Sequence, residues 1–283
     1  MKARRWLILL ALLLPTATAA ERIEKTLPLK LPSGASLPVR LLRPAQAVEK
    51  LPAIIVLGGY QRGAGALDLV STDKPVLLAG FDYPVELPRK LRVRDVPELL
   101  PKTRRAIADT RGGIAALHRE LSRRPDVDPR RITLVGVSAG APFATLAAAD
   151  ARIPAVILVH GFADLPEVIE HQFARRWEKK YGWAGRMSAW FCSRLLHGLL
   201  RLPSIEQSAR SLDASQRVLM IRAEQDDFVP KAGSDALEQA LRESDAAVDV
   251  LTQPGGHIRG AAPERLKPVL EASLEWMERE GLI

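Results

Sequence analysis

Residues 132–142, Ile-Thr-Leu-Val-Gly-Val-Ser-Ala-Gly-Ala-Pro, carry an apolar run into a serine, Ser138, that has a glycine two residues to either side. The run from Ile132 to Val137 suits a strand buried on both faces, and the small residues from Phe143 to Ala149 suit a helix leaving it. A serine turned sharply between strand and helix is held in a strained backbone conformation. Side chains at positions 136 and 140 would collide there, so glycine is required. The hydroxyl then stands above the carboxyl end of the strand. The Ala139 amide and the helix N-terminus face the place where an oxyanion would form. Pro142 falls early in the helix, where a missing N–H costs little. A glycine-bordered structural turn is the competing reading, and the flanking strand and helix weigh against it.

A serine hydroxyl is a poor nucleophile without a base, so the layout demands an acid and then a histidine further along the chain. After the apolar run Arg217–Ala223 come Glu224, Gln225, Asp226, Asp227, Phe228, Val229 and Pro230; after a weaker run at 248–251 come Gly255, Gly256 and His257. Each falls in a loop at the carboxyl end of a strand, where an open parallel sheet gathers its site. His257 would take the Ser138 proton, and a carboxylate would fix its tautomer. Asp227 and Asp164 compete with Asp226 for the acid role. Among the other histidines, His118 lies mid-helix and His171 and His197 lie in a long insertion, where solvated or packing roles are expected. His160 ends a central strand and is a candidate pocket residue.

Working outward, the apolar runs 53–57, 76–81, 132–137, 155–160 and 217–223 alternate with helical stretches, which predicts an α/β fold with a mostly parallel sheet. Two short strands at 23–31 and 36–43, joined through Pro32, Ser33 and Gly34, predict an antiparallel entry pair. Ile107, Ile114, Leu117 and Leu121 share one helical face, and so do Leu266, Val269, Leu270 and Met277. Between the runs ending at His160 and beginning at Arg217 the connection is too long for one crossover, so residues 163–215 are an insertion. It holds Trp177, Trp183 and Trp190 with Phe173, Tyr181 and Phe191. A helical hairpin buried on the body is one reading. A cap over a pocket is favoured, with a membrane-contacting surface as the third. Cys192, among Trp190, Phe191 and Leu195, is expected to be buried and inert.

Hydrophobic residues make up 47% of the 283-residue chain and charged residues 26%, which excludes a disordered or multi-span chain. Cys192 is the single cysteine, which rules out a disulfide framework within the chain and a cysteine-clustered metal site. Residues 1–20 begin with Lys2, Arg4 and Arg5, continue through an apolar run from Trp6 to Leu14 and end in small residues, the layout of a cleaved signal peptide. The chain is therefore expected to be exported, periplasmic or extracellular, with residues 21–283 as the mature domain. Removing residues 1–20 lowers the formal charge from +8 to +5 and leaves no massed basic cluster, so nucleic acid is not an expected partner.

Gly136-Val137-Ser138-Ala139-Gly140, then Asp226-Asp227-Phe228-Val229-Pro230, then Gly255-Gly256-His257 resemble the α/β-hydrolase superfamily. The lead-in from Arg124 to Ile132 looks like its dienelactone hydrolase and prolyl oligopeptidase-like branches. The resemblance covers nearly the whole mature chain. It implies an α/β-hydrolase fold with a helical cap-like insertion, the acid on Asp226, and no metal or organic cofactor. Gly58-Gly59-Tyr60 stand where the family's first strand ends in His-Gly-Gly or His-Gly-x, with Leu57 in place of the histidine. Gly59 or Tyr60 is carried over as the second oxyanion-hole amide, and Tyr60 and His160 as substrate-binding candidates. The segment 61–73 is short for the family's first helix. The nucleophile position is serine where dienelactone hydrolases proper have cysteine, which argues for an ester, thioester or peptide over the dienelactone reaction; an exported protein rarely meets coenzyme A, and hydrolysis of a carboxylic ester is expected. The expected substrate is a small molecule with a hydrophobic group. A peptidase or thioesterase of the same fold is the alternative, and a non-catalytic binding protein on the same scaffold is the alternative of another class.

Overall fold

The structure, a computed structural model, describes residues 21–31, 33–46, 50–59, 62–84, 95–258 and 263–283. The signal-peptide reading at 1–20, and the roles given to Pro32 and Tyr60, lie outside the described residues.

Among the described residues eight strands form: β1 (Arg22–Lys30), β2 (Ser36–Pro44), β3 (Leu51–Leu57), β4 (Leu77–Phe81), β5 (Val127–Val137), β6 (Ala155–Val159), β7 (Arg217–Ala223) and β8 (Ala247–Gln253). They form one sheet in the order β1-β2-β4-β3-β5-β6-β7-β8. The entry pair is antiparallel, with Leu27 opposite Val39, and β2 runs antiparallel to β4. All pairings from β4 through β3 to β8 are parallel. Where sequence patterning gave a weak last strand, β8 pairs with β7 along its whole length, from Arg217 opposite Ala247 to Ala223 opposite Gln253.

The central strands are apolar throughout because both faces are covered. All seven residues of β3 and all five of β6 are buried. Alternation sends Ile55 and Leu57 into one layer with Ile114, Leu117 and Leu121 of α1 (Val96–Arg123), Ala144 of α2 (Gly140–Ala151) and, beyond the insertion, Leu237 of α5 (Lys231–Arg242). Ile54 and Val56 point to the other layer, against Leu67 of a 3-10 turn (Gly63–Leu69) and Trp276 and Met277 of α6 (Pro263–Arg279). That 3-10 turn occupies the segment whose shortness was noted at 61–73.

The insertion consists of α3 (Leu165–Leu200) and α4 (Ile205–Arg210). Although α3 is 36 residues long, Gly182 inside it takes φ 56° and ψ −138°, a conformation that no helix contains and that glycine tolerates. The chain folds back there. Arg194 Nη1 reaches Glu170 Oε2 at 2.5 Å, whereas 24 residues of straight helix would hold them about 36 Å apart. Gly185 sits so close to the other arm that a Cβ would come within 2.6 Å of the Trp177 carbonyl carbon. The insertion is thus a helical hairpin, and its large apolar residues are not buried on the body. Trp183, Trp190, Phe191 and Leu195 are exposed and Cys192 is only half-buried, which corrects the expectation of a buried thiol among buried aromatics. The side chains packed into the hairpin's inner seam are small ones, Ala189 and Ser193, which turns the larger neighbours outward. Among the described residues no helix is long and apolar enough to cross a membrane.

Candidate active site

Parallel pairing of β5 with β3 and β6 brings the ends of these strands together at one edge of the sheet. Ser138 follows β5 with φ 53°, in the left-handed region that a residue with a side chain occupies at a cost of about 1–3 kcal/mol. Two backbone bonds hold it: Ser138 N donates to Val159 O at 2.8 Å, and Ala141 N donates to Ser138 O at 3.0 Å. A Cβ on Gly136 would lie 2.6 Å from the Ala144 Cβ, and one on Gly140 would strike the Leu57 carbonyl, so the two glycines let β3, β5 and α2 meet at this turn. Ala139 occupies the cap position of α2, so the positive end of that helix lies beside Ser138.

Ser138 Oγ is 2.8 Å from His257 Nε2, and His257 Nδ1 is 2.7 Å from Asp226 Oδ2. An ionised carboxylate only accepts, so Nδ1 donates to it and the neutral ring offers its Nε2 lone pair to the Ser138 hydroxyl. Asp226 is itself fixed, its Oδ1 accepting from the amides of Phe228 at 2.9 Å and Val229 at 2.8 Å. Burial pushes the Asp226 carboxyl up. The His257 hydrogen bond and the two amides outweigh it and hold the carboxyl below its ordinary range. The Phe228 ring lies 4.9 Å from that of His257, centroid to centroid.

The rival acids are elsewhere. The Asp227 carboxylate pairs with Arg175 at 3.6 Å. Asp164 caps α3, accepting from Glu167 N at 3.3 Å.

His160 follows β6 with φ 50° and is 4% exposed, beside the pair rather than on the open surface. Its Nδ1 accepts from the Ile258 amide at 3.2 Å and lies 3.8 Å from Asp226 Oδ2, so it braces the residue next to His257. Burial, and then the nearby His257, push His160 down to about 4 against the upward pull of Asp226. It is therefore neutral at pH 7.

Gly59 lies two residues beyond the end of β3, which runs beside β5 with Leu57 opposite Gly136. Its carbonyl is engaged by Arg62 N at 2.8 Å. Sequence reasoning missed the residue that steadies this loop: Tyr83 Oη donates to the Gly58 carbonyl at 2.6 Å, and burial raises the Tyr83 hydroxyl well above its usual range. Its place two residues beyond β4, at the same edge of the sheet, was the available signal. Arg265, which donates to the His257 carbonyl at 3.0 Å, had none.

His160, Asp226 and His257 present ligand-type atoms within 4.8 Å of one another. A cation held by all three would have to displace the Ile258 amide from His160 Nδ1 and break the bond from His257 Nδ1 to Asp226 Oδ2. Chemically the arrangement fits proton transfer from a hydroxyl better than metal ligation.

This fold and this edge define a hydrolase scaffold of the α/β type. The family described as the alpha/beta hydrolase fold matches residues 102–258, more than half of the chain, and the chain belongs to that family. Among solved structures it is similar to acetyl xylan esterase 1 of Thermoanaerobacterium sp., at 17% identity, covering 90% of this chain and 89% of that one with a TM-score of 0.56. It is also similar to a candidate dienelactone hydrolase of Klebsiella pneumoniae, at 16% identity, 91% and 99% coverage and a TM-score of 0.61. The acylaminoacyl peptidase of Pyrococcus horikoshii is 17% identical with a TM-score of 0.61; the match covers 91% of this chain but 41% of that one. A Mycobacterium tuberculosis puromycin-hydrolysing peptidase is likewise spanned over only 38% of its length. At such identities the likeness is one of fold. No curated protein matches the chain.

Proposed function

We propose that the protein is a serine hydrolase that cleaves a carboxylic ester through an acyl-enzyme. The observation that carries this reading is the chain of contacts from Ser138 Oγ to His257 Nε2, 2.8 Å, and from His257 Nδ1 to Asp226, 2.7 Å. In the first half-reaction Ser138 Oγ attacks the ester carbonyl carbon while its proton passes to His257 Nε2. The carbonyl oxygen becomes an oxyanion that the amides of Ala139 and Gly59 stabilise, a contribution worth roughly 10²–10³ in rate per donor. His257 returns the proton to the departing alkoxide and the alcohol leaves. Water then repeats the sequence: it gives its proton to His257, attacks the acyl carbon, and the acid is released as Ser138 recovers its proton. Asp226 orients His257 and stabilises the imidazolium formed in each half.

Ester is preferred to peptide because acetyl xylan esterase 1, named as an esterase, is matched over 89% of its own length. The Phe228 ring against His257 favours a hydrophobic group on the substrate. The insertion aromatics Trp183, Trp190 and Phe191, which face solvent, do not bear on that preference. Labelling with a fluorophosphonate, lost in Ser138→Ala, together with turnover of short p-nitrophenyl esters and not of peptide amides, is the expected result. An unlabelled wild type would overturn the serine mechanism, and amide turnover equal to ester turnover would overturn the ester assignment. The layout of residues 1–20 supports export with cleavage after Ala19 or Ala20. N-terminal sequencing of the protein from its native cell tests that, and a chain that still starts at Met1 would refute it.

A further inference from the structure

The second arm of the hairpin turns a row of large apolar side chains to solvent. Trp183 is 80% exposed, Phe191 61% and Met187 56%, with Trp190 and Leu195 close to half, and Tyr181 beside the Gly182 turn is 57% exposed. Spacings of three, four and eight residues put Trp183, Met187, Trp190 and Phe191 on one face of a helix. On a folded domain, large apolar groups exposed singly are ordinary, but a contiguous row of them marks a contact surface. Basic residues flank the row along the chain: Arg176, Lys179, Lys180 and Arg186 are all exposed, against one exposed acid in that stretch, Glu178. Lys180 lies over the Tyr181 ring at 5.1 Å, and the Arg194 guanidinium over the Trp190 ring at 4.6 Å. Aromatic rings at the tip, an apolar stripe behind them and cations alongside are the elements of a helix that lies in a membrane interface.

We propose that this face docks on an anionic phospholipid surface. Charge selects that occupant over the other two available. A second copy meeting the same patch about a two-fold axis would bring like cations together. Residues 1–20 carry Lys2, Arg4 and Arg5 and no acid, so they meet the same repulsion. An anionic bilayer accepts both parts of the surface: each lysine near it gains enough to change partitioning about fivefold, and the rings enter the headgroup boundary. The hairpin is anchored on its opposite side. Its first arm grips the acid loop through Gln172 Nε2 to Phe228 O at 2.5 Å and Arg175 Nη1 to Asp227 O at 2.7 Å. The inference stands independently of the catalytic reading.

The test is flotation of the full chain with vesicles of phosphatidylcholine alone or of phosphatidylcholine and phosphatidylglycerol in equal parts. Wild type should partition onto the anionic vesicles at least about tenfold better than onto the neutral ones. Lys179→Gln with Lys180→Gln should lose about fivefold per lysine. Trp183→Ala with Phe191→Ala should lose about tenfold or more. Because every variant keeps the apolar run from Trp6 to Leu14, differences among them report the hairpin alone. Brominated lipid should quench the tryptophan fluorescence of a chain carrying Trp6→Phe, and adding Trp183→Phe with Trp190→Phe should remove most of that quenching. Equal binding of wild type and hairpin variants, or quenching that survives the double phenylalanine change, overturns the proposal. So does a wild-type dimer that Trp183→Ala with Phe191→Ala dissociates, since the face would then belong to a second copy.

Discussion

The sheet and the hairpin use apolar residues in opposite ways. In the sheet, β3 and β6 bury every residue they have, and the helices on both sides exist to complete that burial. In the hairpin, the buried positions of α3 are Val168, Gly185, Ala189 and Ser193, while the large side chains of the second arm, Trp183, Met187, Trp190, Phe191 and Leu195, stand in solvent. The hairpin attaches to the body mainly at its base. Val168 joins Phe162 and Val229 in a small cluster, and polar groups of the first arm reach carbonyls of the acid loop. One region is therefore held by its own packing and the other is displayed by it.

Three measurements would break or sharpen that contrast. The largest effect should come from the acid loop, which both regions touch. Asp226→Asn leaves His257 without the charge that orients it and should lower kcat/KM for an ester about 10⁴-fold. Asp227→Asn, which removes the pairing with Arg175 at the hairpin, should change it by less than about threefold. Steady-state kinetics on the two variants decides whether the chemistry belongs to the body alone. A comparable loss from both would mean that the hairpin shares in it.

Next comes stability. Leu134→Ala in β5, fully buried, should cost about 2–5 kcal/mol in denaturant unfolding. Trp183→Ala, 80% exposed, should stay within about 0.5 kcal/mol. A large loss at Trp183 would show that the hairpin face is covered in solution.

The smallest effect concerns pH. His160, lowered to about 4, stays neutral in the folded chain while the unfolded chain takes up a proton near its ordinary value. The contribution is fully present above about pH 6.5 and is lost as pH falls toward 4, by at most about 3 kcal/mol. His118, also lowered by burial, adds to the same slope. In His160→Asn, where the amide oxygen can still accept from Ile258, stability between pH 4 and 6.5 should fall less steeply. An unchanged slope would show that His160 does not carry it.

Much of this protein could be read from local pattern. Glycines at 136 and 140 are required by a turn only a few residues long, and apolar runs report burial on both faces wherever they occur. Such features depend on near neighbours, so the chain states them directly. The assignment of Ser138 and His257 to one site also followed from chain order, because each comes at the carboxyl end of a strand in one parallel sheet. The aromatic insertion was less legible: a cap, a hairpin buried on the body and a membrane-contacting surface all suit its composition, and nothing in composition says which side of a helix faces the body.

The amino-acid sequence alone thus determined the α/β layering, the serine turn and the order of serine, acid and histidine, all of which rest on contacts between residues close in the chain or on strand periodicity. Chain order left Asp226, Asp227 and Asp164 open and the family resemblance put the acid on Asp226; only the tertiary structure gives the reason, a loop that closes on its own amides and turns Asp226 to His257. It also placed His160 behind the pair and Tyr83 beneath Gly58, contacts made across 98 and 25 residues of chain. And it decided the direction of the hairpin's apolar face, since the reversal at Gly182 sets the small residues of the second arm against the first arm and leaves the large ones outside.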